Sequence, residues 1–309
     1  MKELYERVRG QVSTVVIGQD AVVAQVMAAF VAGGHVLLTG PPGVAKTLLA
    51  RTIAKALGVT FTRAQFTPDM LPSDLTGTMI LRGAELTFRP GPVFTNILLA
   101  DEINRTPPKT QAALLEAMQE GQVSVDTTAH PLPSPFLVIA TQNPIEYEGT
   151  YPLPEAQLDR FLLSVDVGYP SEDSEVAMLS QPRTGLEPAS LAEVQAVGSA
   201  EDLLAARRTL ADTTVSDEVA AYVVALVRRT RELPSVSLGA SPRAAVHLLQ
   251  AARATARLAG RTFVTPDDVV ACAGAALAHR LVLSPDAELE RFSALDAVST
   301  ALADVPVPR

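Results

Sequence analysis

A single cysteine, Cys272, is all that 309 residues supply. One thiol permits neither an internal disulfide nor a cysteine zinc site, so the expected setting is the reducing interior of a cell, the cytoplasm. Basic charge is short as well: 25 Lys and Arg stand against 34 Asp and Glu, a formal net charge of −9. That balance disfavours broad binding to nucleic acid or to an anionic membrane surface. Charge is missing altogether between Asp20 and Lys46, the one stretch that resembles a membrane span. Gly33-Gly34 and Pro41-Pro42 interrupt it, and prolines break a spanning helix. The opening residues, MKELYERVRG, carry acids and no apolar core, so no secretory leader is read there. Internal repeats and low-complexity tracts are lacking too. What is present, 48% hydrophobic and 19% charged residues, suits a well-buried globular chain rather than a disordered one. The length suits two domains.

Four continuous apolar runs, His35–Thr39, Ile97–Asp101, Phe136–Thr141 and Leu162–Val167, read as strands buried on both faces. Helical periodicity falls between them, notably over Lys46–Leu57 and Thr110–Glu120. Such alternation predicts a parallel sheet in a three-layer α/β domain over residues 1–185. Thr78–Phe88 and Gly121–Leu132 read instead as β-hairpins inserted into that plan. Gly168 to about Ala200 is rich in Pro, Ser, Glu and Asp and reads as a connector, with residues 186–200 as the linker proper. Beyond it, over 201–309, strand signals vanish. Glu218–Arg231 and Pro242–Leu258 show helical spacing, and Thr265-Pro266-Asp267-Asp268 is a capped helix start. The second domain is therefore expected to be all-α. Residues 1–190 carry 13 basic and 20 acidic groups and 191–309 carry 12 and 14, so neither half is a basic nucleic-acid module.

Gly40–Thr47 reads G-P-P-G-V-A-K-T between a predicted strand and a predicted helix. The tight loop Gly40-Pro41-Pro42-Gly43-Val44-Ala45 and the first helical turn would converge backbone N–H groups on anionic oxygens, and the helix dipole assists. Lys46 would reach β- and γ-phosphates, and the Thr47 hydroxyl would ligate Mg²⁺. Ala45 stands where the general pattern has glycine. Its tolerance is explained if that residue already enters the helix, where alanine has the better propensity. The strand Ile97–Ala100 ends in Asp101-Glu102, at the edge where open α/β sheets bind ligands. Asp101 is read as holding Mg²⁺ through water and Glu102 as orienting and activating the attacking water. A generic Gly/Pro turn and a solvated acidic turn are the plain alternatives.

Taken with Asp101–Arg105, Ala140–Pro144 and the run Glu148–Phe161 (EGTYPLPEAQLDRF), the phosphate loop resembles the MoxR family of AAA+ ATPases. The likeness spans nearly the whole chain, and Ala45 is what that family usually carries. It implies a P-loop AAA+ core followed by a helical lid, with ATP and Mg²⁺ as cofactors. It further implies that Asn143 is the sensor 1 amide, that Arg160 is an arginine finger reaching a neighbouring subunit, and that Arg243, in Ser241-Pro242-Arg243, is the sensor 2 arginine, acting within its own subunit or across an interface. The segment Val16–Gln19, through Ile17 and Gly18, resembles the lining of an adenine pocket. Plainer readings stay open: Asn143-Pro144 as a turn opener, Arg160 as a surface residue paired with Asp159 or Glu155, and Val16–Gln19 as a simple loop.

The resemblance also implies a ring homo-oligomer, a hexamer, acting as a chaperone-like remodeller of client proteins beside a von Willebrand factor A domain partner. A chelatase-type motor subunit for metal insertion shares the architecture. A nucleic-acid motor is a further rival, but such hairpins carry Lys or Arg to follow phosphates. Here Thr78–Phe88 offers Arg82 alone, and Gly121–Leu132 offers no basic residue and one Asp126. The four histidines have no ligand spacing, so no metal beyond Mg²⁺ is expected. Cys272 reads as a small buried hydrophobe, and Arg228-Arg229-Arg231 as a solvated helix face.

Overall fold

The computed structural model describes residues 1–142, 150–185 and 187–308. Asn143, the expected sensor 1 residue, lies outside the described residues. The core opens with α1 (Lys2–Ser13), α2 (Asp20–Ala32), β1 (Val36–Thr39), α3 (Lys46–Ala56) and β2 (Phe61–Gln65). Helix α4 (Pro72–Thr76) leads into a hairpin of β3 (Gly77–Arg82) and β4 (Glu85–Pro90). Next come β5 (Ile97–Asp101), the 3-10 turn Ile103–Arg105, α5 (Pro108–Glu120) and a second hairpin, β6 (Gln122–Val125) and β7 (Thr128–Pro131). Strand β8 (Leu137–Gln142), α6 (Glu155–Leu158) and β9 (Leu163–Asp166) complete the core.

Five strands form one parallel sheet in the order β2-β5-β8-β1-β9. Alternate residues of each strand point to opposite faces. Val36, Leu38, Ile97, Leu99, Ile139 and Val165 join α1, α2, α3 and the carboxy-terminal helices in one core. Leu37, Leu98, Ala100, Val138 and Ala140 join α5, Phe66 and Phe161 in the other. Covering on both faces is why these strands are continuously apolar. Edge strand β2 has no such run, because only Ala64 of its five residues is buried. It was therefore not legible from periodicity. Both hairpins form; the first extends to Pro90 and so gains Arg89 at its base, opposite Thr78.

The stretch read as a connector is more ordered than its composition implied. It holds α7 (Glu172–Ser180), a ribbon of β10 (Arg183–Thr184) and β11 (Glu187–Pro188), and α8 (Ser190–Glu193). Ser171 caps α7 through its hydroxyl, and three acids fill its first turn. The lid comprises α9 (Ala200–Leu210), α10 (Asp217–Thr230), α11 (Pro242–Leu258), α12 (Pro266–Leu277), α13 (Pro285–Leu289) and α14 (Ala294–Asp304). One two-stranded ribbon, β12 (Val236–Leu238) with β13 (Val282–Leu283), interrupts an otherwise helical domain. Thr265 and Asp268 form the expected capping box of α12. Cys272 is buried beside the Thr255 hydroxyl, and burial pushes its thiol up to about 11. No helix among the described residues is long and apolar enough to cross a membrane.

Ala45 corrects an expectation. It lies outside the helix as the residue capping α3, with φ 66° and ψ 23°. Helix propensity cannot explain it, since this is the left-handed region that glycine favours. An L-residue there costs roughly 1–2 kcal/mol. Ala45→Gly should therefore raise the unfolding free energy, by about 1 kcal/mol at most after glycine's larger unfolded-state entropy is counted. Denaturant titration checks this, and a clear loss of stability would mean that the alanine methyl makes a contact outweighing the strain.

His35, just before β1, is buried and neutral. Its Nδ1 accepts from the Val138 amide at 3.0 Å, and its other nitrogen donates to the Met118 carbonyl at 3.1 Å. Burial foremost, with the Arg207 charge adding, pushes the imidazole down to about 4, against the upward pull of the Met118 bond. Between that value and the ordinary 6.5, the unfolded chain binds more protons than the folded one, so stability rises with pH. Its contribution is complete above the unfolded value and fades as pH falls toward 4. From His35 alone, unfolding at pH 5 should require about 2 kcal/mol less than at pH 7. A His35→Gln chain should show a flatter dependence; an identical slope would assign the effect to other groups.

Candidate active site

Among the described residues, six helices, α7, α9, α10, α11, α13 and α14, begin with a serine whose hydroxyl accepts from the first turn. Helix α3 has neither a side-chain cap nor an acid in its first turn. Its leading N–H groups are left for an anion, and the helix dipole favours one. A cavity of about 720 Å³ opens there, beyond the carboxyl ends of β1, β5 and β8. Pro42, Gly43, Val44, Ala45, Lys46 and Thr47 line it, as do Asp101 and Glu102. At its far side stand Val15, Val16, Ile17, Tyr169, Pro170 and Met178. The lining thus joins the charged phosphate loop and acids to an apolar stretch, with Arg51, Glu175, Arg183 and Glu187 completing it, at a volume typical of small-molecule sites.

Two predicted residues contribute indirectly. Gly40 has φ 140°, and a Cβ there would sit 2.3 Å from the Val167 carbonyl oxygen. Only glycine lets the loop pass so close to the end of β9. The Gly40 and Pro41 carbonyls accept from the Lys46 ammonium at 2.6 and 3.3 Å. Partial burial lowers the Lys46 pKa, while Asp101, Asp166 and Glu102 hold it up. Gly18 does not line the cavity. Its φ is 77°, and a Cβ would lie 2.6 Å from the Ser174 hydroxyl, so glycine is needed there to seat α7 rather than to meet a ligand.

The carboxylate pair is held by side chains that the sequence did not single out. Thr141, on β8, donates to Asp101 Oδ1 at 2.6 Å and accepts the Glu102 amide at 2.9 Å. One buried hydroxyl thus fixes both acids. Arg63, on β2, donates to Asp101 Oδ2 through Nε and Nη2 at 2.9 and 2.7 Å. Gln65 donates to Glu102 Oε2 at 2.6 Å, and Arg105 pairs with the same oxygen at 3.1 Å. Glu102 itself is left-handed, with φ 59° and ψ 49°, a strained conformation that its neighbours must hold. No group of three or more His, Cys, Asp or Glu suited to a metal occurs among the described residues. Of the oxygen donors gathered there, Thr47 and Asp101 fit Mg²⁺, which binds through one or two carboxylates together with substrate phosphates.

Arg160 and Arg243 are brought together, but elsewhere. With Arg207 and Arg253 they line a second cavity of about 500 Å³ that shares no lining residue with the first. It includes Gly33, Gly34 and His35, which precede β1, whereas Gly40 follows that strand. At about 3.3 Å per residue the two cavities are some 16 Å apart, at opposite ends of β1. Among the described residues, no carboxylate lines the second one. Arg207 Nη2 and Arg253 Nε are buried without a hydrogen-bond partner among the described residues. His247 adds no charge, since burial, then Arg280 and Arg243, push it down to about 4. Asp159 pairs with Arg280 rather than with Arg160, and among the described residues Arg160 has no ion pair. Four guanidinium groups therefore face an opening that no acid among the described residues lines.

Comparison with known proteins identifies the fold and the family. Residues 35–163 match the ATPase family associated with various cellular activities (AAA), and residues 228–301 match the AAA lid domain. The uncharacterised protein YeaC of Bacillus subtilis is 47% identical over 96% of this chain and 92% of its own. Chaperone MoxR1 of Mycobacterium tuberculosis is 44% identical over 98% of this chain and 82% of its own. A crystal structure of a Cytophaga hutchinsonii protein assigned as an ATPase superposes with a TM-score of 0.92 at 40% identity, covering 100% of this chain and 96% of that one. The chain belongs to the MoxR family of AAA+ ATPases, ATP-hydrolysing enzymes with an α/β nucleotide core and a helical lid.

Proposed function

We propose that this ATPase is Mg²⁺-dependent, works as a ring of identical subunits, and couples hydrolysis to chaperone-like remodelling of partner proteins. The observation that carries the ring is the separation of Arg160 and Arg243 from Lys46 by the length of β1. Neither arginine can serve the triphosphate of its own chain. Both suit a triphosphate presented by a neighbour packed head to tail, so sensor 2 acts across the interface together with the finger.

Within one cavity the roles divide by chemistry. Amides at the start of α3 and the Lys46 ammonium bind the phosphates; Lys46 exchanges the Gly40 and Pro41 carbonyls for them. The apolar stretch of the lining, with Val16 and Ile17, receives the base. Thr47 and Asp101 would hold Mg²⁺, which when bound neutralises charge on the β- and γ-phosphates. Glu102 orients the attacking water, for which its carboxylate must leave Gln65 and Arg105. Asn143 remains the sensor 1 candidate.

A protein client is favoured over nucleic acid by the hairpin tips. Leu81 and Leu86 face each other across β3 and β4 at 68% and 66% exposure, an apolar pair beside Arg82. The other tip carries Asp126 and Thr127. Arg89 sits at the base of its hairpin, too far from the tip to follow a phosphate backbone. Phe88 stacks on His130 at 3.9 Å between ring centroids and joins the two hairpins into one unit. The relative named chaperone MoxR1 supports the same reading. A von Willebrand factor A domain protein is the partner that the family resemblance suggests.

Two experiments test this. Glu102→Gln should keep Mg-ATP affinity within a few-fold and reduce turnover about a hundredfold or more; full turnover would assign water activation elsewhere. Arg160→Ala and Lys46→Ala protomers, each inactive alone, should regain turnover when mixed, because one supplies intact pockets and the other intact fingers. Mixed rings that form, as seen by light scattering, yet stay inactive would overturn the inter-subunit reading.

A further inference from the structure

The turn carrying Arg160 is gripped by a buried arginine of the lid. Arg280 ends the 3-10 turn Ala278–Arg280 after α12, and its side chain is 2% exposed. Its Nε donates to Asp159 Oδ1 at 2.6 Å. Nη2 donates to the Phe161 carbonyl at 2.5 Å, to the Asp159 carbonyl at 3.3 Å and to His247 Nδ1 at 2.5 Å. Nη1 donates to the Leu162 carbonyl at 3.4 Å and to the Ala276 carbonyl. Every N–H of the guanidinium is thereby used, four of the six contacts falling on Asp159–Leu162. The other oxygen of Asp159 accepts from Ser241 at 3.4 Å, and Ser241 caps α11, the helix that carries Arg243. The core side of the same turn is fixed by the Leu162 amide, which donates to the His35 carbonyl at 2.8 Å.

We propose that Arg280 is a positioning residue: by clamping Asp159–Leu162 from the lid, it sets where Arg160 stands relative to Arg243. Stability alone gives a weak reason for it. A buried ion pair is often no more stabilising than apolar residues of the same volume. What the pair does supply is a fixed geometry between two domains, with a planar fork matched to one carboxylate and the carbonyls that follow it. Lysine keeps the charge but has three donors from a single nitrogen, so it cannot hold the turn in the same place. Motion of the lid against the core must carry Arg160 with it or break this set of bonds.

The proposal rests on Arg160 acting on a neighbour's triphosphate, and its test separates the two ideas. Arg280→Lys leaves the Lys46 cavity untouched. Mg-ATP binding, measured with a fluorescent ATP analogue, should stay within about twofold, while turnover falls about tenfold to a hundredfold, as misplacement of a reacting group by an ångström would cause. Added Lys46→Ala protomers should recover turnover to the same degree as they do for Arg160→Ala. Wild-type turnover in Arg280→Lys, or lost nucleotide affinity, overturns the positioning role. So does any divergence from Arg160→Ala in the mixing experiment. If neither variant is rescued while Arg280→Lys still loses turnover at unchanged Mg-ATP affinity, the inter-subunit reading fails and the positioning role stands. Should Arg280→Lys fail to fold by circular dichroism, Asp159→Asn, which keeps size and an acceptor, must show the same pattern, and its failure to do so is equally decisive.

Discussion

Parallel strands give a sheet two chemically different ends, and the chemistry of this chain is divided between them. The carboxyl ends of β1, β5 and β8 deliver the loop before α3, the acids Asp101 and Glu102, and the Thr141 hydroxyl that holds both. The amino ends of β1 and β9 deliver Gly33–His35 and the turn bearing Arg160. A strand is rigid and its length is fixed by its residue count. No side-chain rotation can bring the two ends together. Every inter-subunit element of the proposed mechanism follows from that one constraint, because a chain with its cations at one end and its anion site at the other is complementary to a copy of itself.

Strain marks the same places. Outside glycine, left-handed backbone occurs at few described positions, and two of them, Ala45 and Glu102, line the candidate site. Each costs energy that surrounding contacts must offset. For Glu102 those contacts are visible: its amide meets Thr141, its carbonyl accepts the Arg105 amide at 2.9 Å, and its carboxylate meets Gln65 and Arg105. A strand that simply continued would point this carboxylate to one face of the sheet. The sharp turn instead lifts it past the strand end, into the cavity.

How much of this could be read beforehand depends on whether the signal was local. The buried strands were legible because burial on both faces forces continuous apolar runs, and Pro242–Leu258 because its apolar residues recur at helical spacing. Lys46, Thr47, Asp101 and Glu102 stood out because their motifs are short in sequence. Strand β2 was missed for a physical reason: at an edge, Thr62, Arg63 and Gln65 can stay polar. With it went Arg63 and Gln65, whose roles exist only because β2 lies beside β5. Arg280 was hidden in the same way, since it sits 121 residues from Asp159. Ala45 failed differently. The alanine is plain in the sequence but its left-handed conformation is not, because propensity says nothing about a residue that the helix does not include.

The lid is more than a cover in this arrangement. It supplies Arg207, Arg243 and Arg253 to the cation-lined cavity, and through Arg280 it reaches the core turn that bears Arg160. Arg207 also donates to the Phe30 carbonyl in the last turn of α2, where the helix dipole favours a cation. The amino-terminal helices, the lid and the turn bearing Arg160 are therefore linked by charged hydrogen bonds as well as by a shared apolar core. Packing tolerates sliding, because dispersion is nearly indifferent to direction. Directional bonds to carbonyls are not, and a guanidinium that leaves one must find another acceptor or water. A lid linked in this way favours a few discrete positions over a continuum, which is the property a nucleotide-driven machine needs if hydrolysis in one subunit is to be felt by the next.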